Sequence, residues 1–348
     1  MNKINCSPPD KDLFEHRVLP ALYISVFVIG LVLNVWGMKS LLHNWKKFQH
    51  INIFVLNLGL ADIMYLLTLP FLIVYRLKGN KWMFGDRFCK VTRFCYNLNL
   101  YGSIGFLTCI SVYRYLAVVH PIRTRGRLTT IHSVVISAIV WILVSVAQSI
   151  PDMMFPKHSE NMTGQCYDTT DLKNVEKYLH YSLSWTFIGF FIPFVVTVGC
   201  YGHVTLVVCR SKTVKKNRKQ QILKLMVLLL LLFSLCYAPY HVFRNLNLYS
   251  RVQFTREICP TWNSEVFIAH QASRGLVSLN SALNPLVYLN VNKDMSLQMK
   301  FSRFRLGFQC PHYLNATFIG CLNHLFSGWT YIFCFSSYVE LKHSVYSI

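Results

Sequence analysis

Three arginines stand near one end of otherwise apolar runs in this chain: Arg93, Arg244 and Arg274. A guanidinium held in a membrane span costs roughly 2.5 kcal/mol or more. Three aimed at one cavity therefore call for anionic partners. Few carboxylates lie at matching depth, and the nearest candidates are Asp168 and Glu265, in the flanking loops. A phosphorylated ligand would supply the missing charge, because arginine forks match phosphate geometry bidentately. Tyr101, Tyr181, His241 and Phe243 offer a stacking or hydrogen-bonding wall for a base. The plainer reading is that the arginines snorkel, or pair with loop acids. A second chemically distinct position is Asp62, a carboxylate inside an apolar run, where an unpaired charge is expensive.

The stretch from His270 to Asn290 connects the two kinds of position. It is apolar enough to cross a membrane, yet carries Gln271 and Arg274 near one end and Asn280, Asn284, Pro285 and Tyr288 near the other. At about 1.5 Å per residue, Arg274 and Tyr288 lie roughly 21 Å apart on a helix. Gln271, Arg274, Ser278, Asn280, Asn284 and Tyr288 fall within one broad stripe. Lipid does not tolerate such a stripe, so it should face protein or a water-filled cavity.

Composition sets the class. Of 348 residues, 53% are hydrophobic and only 14% charged, where a soluble protein carries about a quarter charged residues. Seven apolar spans follow one another, at about 18–42, 51–75, 88–119, 131–151, 178–209, 222–248 and 266–290. The runs are continuous rather than alternating, which excludes a barrel. The expected fold is an all-α membrane protein, a seven-helix bundle with a short amphipathic juxtamembrane helix after the seventh span. Its sections are an N-terminal segment (1–17), the bundle (18–290), the juxtamembrane helix (291–307) and an atypical, aromatic-rich tail (308–348) that suggests no function. The first seventeen residues do not read as a cleavable signal peptide, so the first span should act as its own insertion signal.

The net charge of +21 does not point to a nucleic-acid polymer, because the basic residues fall in alternate loops. Lys46 and Lys47 follow the first span, Arg123, Arg125 and Arg127 the third, Arg210 to Lys219 the fifth, and Lys293 to Arg305 the seventh. By the positive-inside rule these loops are cytosolic and the N-terminus is outside. Cys6, Cys89, Cys166 and Cys259 then all fall outside, where disulfides form, with three pairings open. Asn161 heads a glycosylation sequon in an outside loop. Cysteine and histidine nowhere cluster at transition-metal spacing, and no histidine, serine and carboxylate constellation points to an enzyme. A transporter or channel should show internal repeats and a continuous polar path. Instead, apolar Phe106, Phe233 and Leu279 separate the two polar ends.

Several motifs in order give a narrower reading. They are Asn34; LGLAD ending at Asp62; Trp82 with Phe84 and Gly85 before Cys89; Arg114 in YRY; Trp141; Pro193 with Tyr201; Pro239 in FSLCYAP; and NPLVY from Asn284 to Tyr288. From about Cys6 to Phe304 the chain resembles a rhodopsin-like G-protein-coupled receptor. CYDTT at 166–170, YAPYHVFRNLN at 237–247 and HQASRGLVSLNS at 270–281 make it similar to the metabotropic purinergic receptors.

That resemblance implies a plasma-membrane receptor for extracellular nucleotides. It would act on a heterotrimeric G protein through phospholipase C and calcium, in contact with membrane lipids. It implies ligand contacts at Arg93, Asn97, Tyr101, Asp168, His241, Arg244, Gln271 and Arg274, and bridges Cys89–Cys166 and Cys6–Cys259. Several relatives have histidine where Asn97 stands, so nucleobase preference stays open. No cofactor is expected beyond an allosteric sodium ion at Asp62, Ser103, Asn280 and Asn284. The activation switch would comprise Arg114, Pro193, Tyr201, Phe233, Tyr237, Pro239, Asn284, Pro285 and Tyr288. Tyr113 replaces the usual acid before Arg114 and cannot form a resting salt bridge with it. A receptor for another small anion, a dicarboxylate or lipid phosphate, remains an alternative.

Overall fold

A computed structural model describes residues 14–43, 50–120, 129–150, 152, 166, 172–210 and 216–301. Among these, the expected spans become seven helices. They are α1 (Phe14–His43), α2 (Ile51–Leu77) and α3 (Gly85–Val119). Next is α4, Thr130–Ile142 continued by a wide turn at Leu143–Ser149, and α5 (Leu172–Arg210). In α6, Lys216–Leu231, a wide turn Leu232–Tyr237 and Ala238–Thr255 run on from one another. α7 is Asn263–Phe301. It continues without a break into the first part of the segment expected as a juxtamembrane helix. Residues 302–348, which include the end of that segment and the whole tail, lie outside the described residues.

The bundle is apolar on its outside as well as in its core. Ile131 is 73% exposed, and Val134, Val135, Val28, Val32, Ile188 and Val195 are exposed too. Such a surface is stable only against lipid. Six of the helices are long and apolar enough to cross a membrane, among the described residues. α7 is long enough but carries the polar stripe. Gln271, Arg274, Ser278, Asn280 and Asn284 are all buried inside the bundle, as a stripe that lipid would reject has to be.

α3 is the central post. Every residue from Cys95 to Ile104 is buried, and the helix touches α2, α4, α5 and α7. α1 is bound to α7, because the Asn34 amide donates to the carbonyls of Gly30 and Ser281, both at 2.8 Å. α4 is hung on α2 by Trp141, whose indole donates to Asn57 at 2.8 Å.

Prolines shape three of the helices. A proline lacks the N–H that its i−4 carbonyl needs, and its ring clashes with that carbonyl. α2 breaks at Leu67 and Thr68, before Pro70. α5 widens to a π turn over Phe187–Phe191, just before Pro193, and α6 does so over Leu232–Tyr237, before Pro239. Pro285 is buried within α7.

The wide turn of α5 lets it approach α3 closely. A Cβ on Gly189 would stand 2.8 and 2.9 Å from two ring carbons of Tyr101, and 3.0 Å from Trp185. These are rigid rings, so Gly189→Ala should cost about 1–3 kcal/mol of stability. Thermal unfolding of the purified protein in detergent measures that loss.

Candidate functional site

The wall of the site is built at the end of the bundle where the Cys89–Cys166 disulfide ties α3 to the segment between α4 and α5. Cys259 is also disulfide-bonded. Its expected partner Cys6, and the predicted Asp168 and Asn161, lie outside the described residues.

Arg93 and Asn97 occupy the same face of α3, four residues apart. Both turn to a carboxylate that sequence reasoning does not single out, Asp152, beyond the apolar run of α4. Asn97 donates to Asp152 Oδ2 at 2.8 Å and Arg93 Nη2 donates to it at 3.2 Å. Arg93 also reaches the Asp152 carbonyl at 3.1 Å. On Oδ1, the Tyr178 hydroxyl of α5 donates at 2.5 Å and Arg244 Nη2 of α6 at 3.2 Å. Burial opposes ionisation of this carboxyl. The two guanidiniums and the bonds from Tyr178 and Asn97 outweigh it and hold the pKa below the usual carboxylate value. This corrects the sequence expectation. Arg93 and Arg244 do find an internal acid, which is neither Glu265, exposed at the start of α7, nor the loop Asp168.

Arg274 joins this group through tyrosine faces. Its guanidinium lies over Tyr96 at 5.6 Å, Tyr96 meets Tyr240 edge-on at 6.0 Å, and Arg244 lies over Tyr240 at 5.8 Å. Two arginines thus flank one aromatic pair, an arrangement that suits cation–π attraction. Tyr101 stands within reach of Arg244 Nη1, at 3.4 Å, and edge-on to Trp185. His241 is buried and stacks on Phe190 at 4.6 Å. Its Nδ1 lies 3.4 Å from Thr186, and its Nε2 is buried without a hydrogen-bond partner. Of the expected wall, Tyr101 and His241 are in place and Tyr181 stacks on Tyr178. Phe243 is only half-buried. Tyr96, Tyr240, Phe190 and Trp185 carry no distinguishing signal in the sequence, because aromatic residues are common in any membrane span.

Gln271 belongs to a neighbouring cluster. Its Oε1 accepts from Arg76 Nη2 at 2.9 Å. Arg76 also pairs with Glu15 at 3.3 Å and donates to Asn80 at 2.9 Å, while Asn80 donates to Glu15 at 3.1 Å. The chain just before the first apolar run therefore enters the bundle with a buried acid. In the sequence Glu15 belongs to a polar terminus and Arg76 to a span end, and neither placement announces burial.

A second polar network fills the middle of the bundle. Asp62 is fully buried. It accepts from Asn99 at 2.8 Å and from Asn284 at 3.1 and 3.0 Å. Ser281 donates to Asn99 at 3.1 Å. Asn284 is an expected neighbour of Asp62, whereas Asn99 is not. Ser103 and Asn280 are buried but make no hydrogen bond to Asp62; the Ser103 hydroxyl, both Asn280 amide atoms and Asn284 Oδ1 have no protein partner. Phe233 and Tyr237 pack edge-on in the core at 5.7 Å. Farther along, the Ser111 hydroxyl donates to Tyr201 at 2.5 Å, and Arg114 is buried beside them on α3. Tyr113 packs edge-on against Phe54. The side chain of Tyr288 lies outside those described.

Breaking a buried ion pair on one side strands the other charge, at about 3–5 kcal/mol. Arg76→Met should therefore lower the unfolding temperature sharply. Adding Glu15→Gln to Arg76→Met should recover most of the loss, as a double-mutant cycle by thermal unfolding would read.

Comparison with known proteins agrees with this architecture. Residues 27–288 match the model of the 7 transmembrane receptor (rhodopsin family). The chain is 39% identical to the Y-type purinoceptor 1 of Cavia porcellus over 278 residues, 79% of this chain and 74% of that one. It is 38% identical to the Y-type purinoceptor 1 of Homo sapiens over 277 residues, with the same coverage. With the Y-type purinoceptor 4 of Xenopus laevis it shares 33% over 285 residues, 80% of this chain and 52% of that one. The buried polar ladder of α7, the central α3 and the lipid-facing exterior fit these matches: the chain belongs to the rhodopsin family of seven-transmembrane receptors and, within it, resembles the Y-type purinoceptors.

Proposed function

We propose that the chain is a plasma-membrane receptor for extracellular nucleotides that activates heterotrimeric G proteins, with phospholipase C and calcium as its output. The observation that carries the reading is the grouping of Arg93, Arg244 and Arg274 with tyrosine and histidine faces at one end of the bundle. Guanidiniums suit phosphate oxygens and the rings suit a base. The printed names of the relatives, purinoceptors, favour the same class. The disulfide at this end favours an extracellular opening, and the basic loops at the other end favour a cytosolic one.

A ligand drawing on Arg244 would pull on α6 beyond its wide turn. That movement opens the far end between Arg114 and Tyr201, a population shift of the rigid-body type. The residue before Arg114 is the neutral Tyr113. The Asp62 region would hold sodium. Its carboxylate and the partnerless oxygens of Ser103, Asn280 and Asn284 form an all-oxygen set suited to a hard cation.

In receptor-null cells, a calcium and cyclic-AMP panel with adenine and uracil nucleotides should give a response that Arg274→Ala abolishes. Unchanged potency in Arg274→Ala would remove the phosphate contact from the reading. For the sodium site, purified wild type should unfold at a higher temperature in sodium chloride than in choline chloride. Asp62→Asn should unfold at the same temperature in both.

A further inference from the structure

Asp152 has no part in the nucleotide reading, yet it lies at the centre of the cationic site. Both of its oxygens are saturated, Oδ1 by Tyr178 and Arg244, Oδ2 by Arg93 and Asn97. Its side chain is 4% exposed, against 11% for Arg93 and 7% for Arg244. Two guanidiniums from different helices thus spend donors on one internal carboxylate, which leaves the three groups with one net positive charge between them. A carboxylate presents two oxygens to guanidinium forks in the same planar manner as one edge of a phosphate. An incoming phosphate and Asp152 therefore ask for the same donors.

We propose that Asp152 is a tethered competitor for the Arg93–Arg244 pair, a specificity-determining residue that sets how strongly an anionic ligand must bind in order to enter. The proposal rests on the site receiving an anion. In the resting receptor the Asp152 carboxylate fills the anion position and joins α3, α5 and α6 through their side chains. An anionic ligand exchanges with it. Weak or singly charged anions do not displace a carboxylate held by four donors, whereas polyphosphate, with more charge to spread over both arginines, does. Asp152 thereby acts as a threshold against the common small anions outside the cell. The same residue makes binding and release of the resting contacts one event, because the donors that grip the ligand are those that held the three helices together.

The competing account is that Asp152 stays in place and orients the two guanidiniums for the ligand, as an acid behind a metal-ligating histidine does. The two accounts predict opposite signs for Asp152→Asn. The amide keeps the shape and an acceptor, but removes the charge.

The test uses the full-length receptor, purified in detergent, with inorganic pyrophosphate as the probe. If Asp152 competes, Asp152→Asn gains more thermal stability from pyrophosphate than wild type does, because the anion no longer has to displace a carboxylate from the two guanidiniums. In cells, the potency of ADP should rise by about tenfold. A pyrophosphate shift equal to or smaller than that of wild type overturns the proposal. Glu265→Gln removes an exposed negative charge at the start of α7 and should change neither reading. An equal gain in Glu265→Gln would show that net charge alone is at work, and would also overturn it. If Asp152→Asn does not fold, Tyr178→Phe decides by the same measurement. It removes one donor from Oδ1 and one tie to Arg244 at 2.8 Å, so it should show a smaller gain in the same direction; no gain overturns the proposal. Failure of wild type to respond to any nucleotide would instead sink the nucleotide reading, while the pyrophosphate arm still decides the role of Asp152.

Discussion

A carboxylate with no exposure cannot be left alone in a bundle surrounded by lipid, and the middle of this receptor is organised by that constraint. Asp62 of α2 takes hydrogen bonds from Asn99 of α3 and Asn284 of α7. Ser281 ties α7 back to Asn99, and the carbonyl of the same Ser281 accepts from Asn34 of α1. Four helices are thereby held in register around one carboxyl group. Between helices in lipid, where burying one apolar face against another gains little, such polar contacts and close packing supply much of the association.

Above and below this centre the polar chemistry divides. Toward the disulfide end lie the arginines with Asp152, and beside them the Glu15–Arg76–Gln271 cluster. Toward the other end lie Ser111, Tyr201 and Arg114. Phe106 and Phe233, both fully buried, stand between. The two polar ends are therefore joined by packed helices and not by a continuous chain of charges.

Much of this is legible in the sequence. Apolar runs of span length can be little else in a chain so poor in charge, and the stripe on α7 declares its inward face. Arg93, Arg244 and Arg274 are recognisable because a guanidinium in an apolar run is too costly to be incidental. The helix ends are less legible, and with them the buried Glu15 and Asp152. Both acids fall just beyond apolar runs, at positions where a charge is ordinarily solvated. Only tertiary contact makes them internal. Asn99 escapes notice for a related reason: a neutral amide in a span carries a smaller cost, so its presence announces less. The wide turns are only implied. Pro193 and Pro239 mark where α5 and α6 must deform, but not that they do so by widening.

That widening alters the phase of the helix. A regular helix turns about 100° with each residue, and a π turn takes up one residue more than an α turn does. The half of α6 that carries His241 and Arg244 is therefore rotated relative to the half that carries Leu229 and Leu230. Were Leu232–Tyr237 to tighten into a regular turn, the outer half would rotate against the inner half without hinge bending, and Tyr240, His241 and Arg244 would have to exchange their present partners. The bundle thus contains, in one turn of backbone, a means of turning the face that carries His241 and Arg244 about the helix axis, for which a straight helix of the same sequence length would have no equivalent.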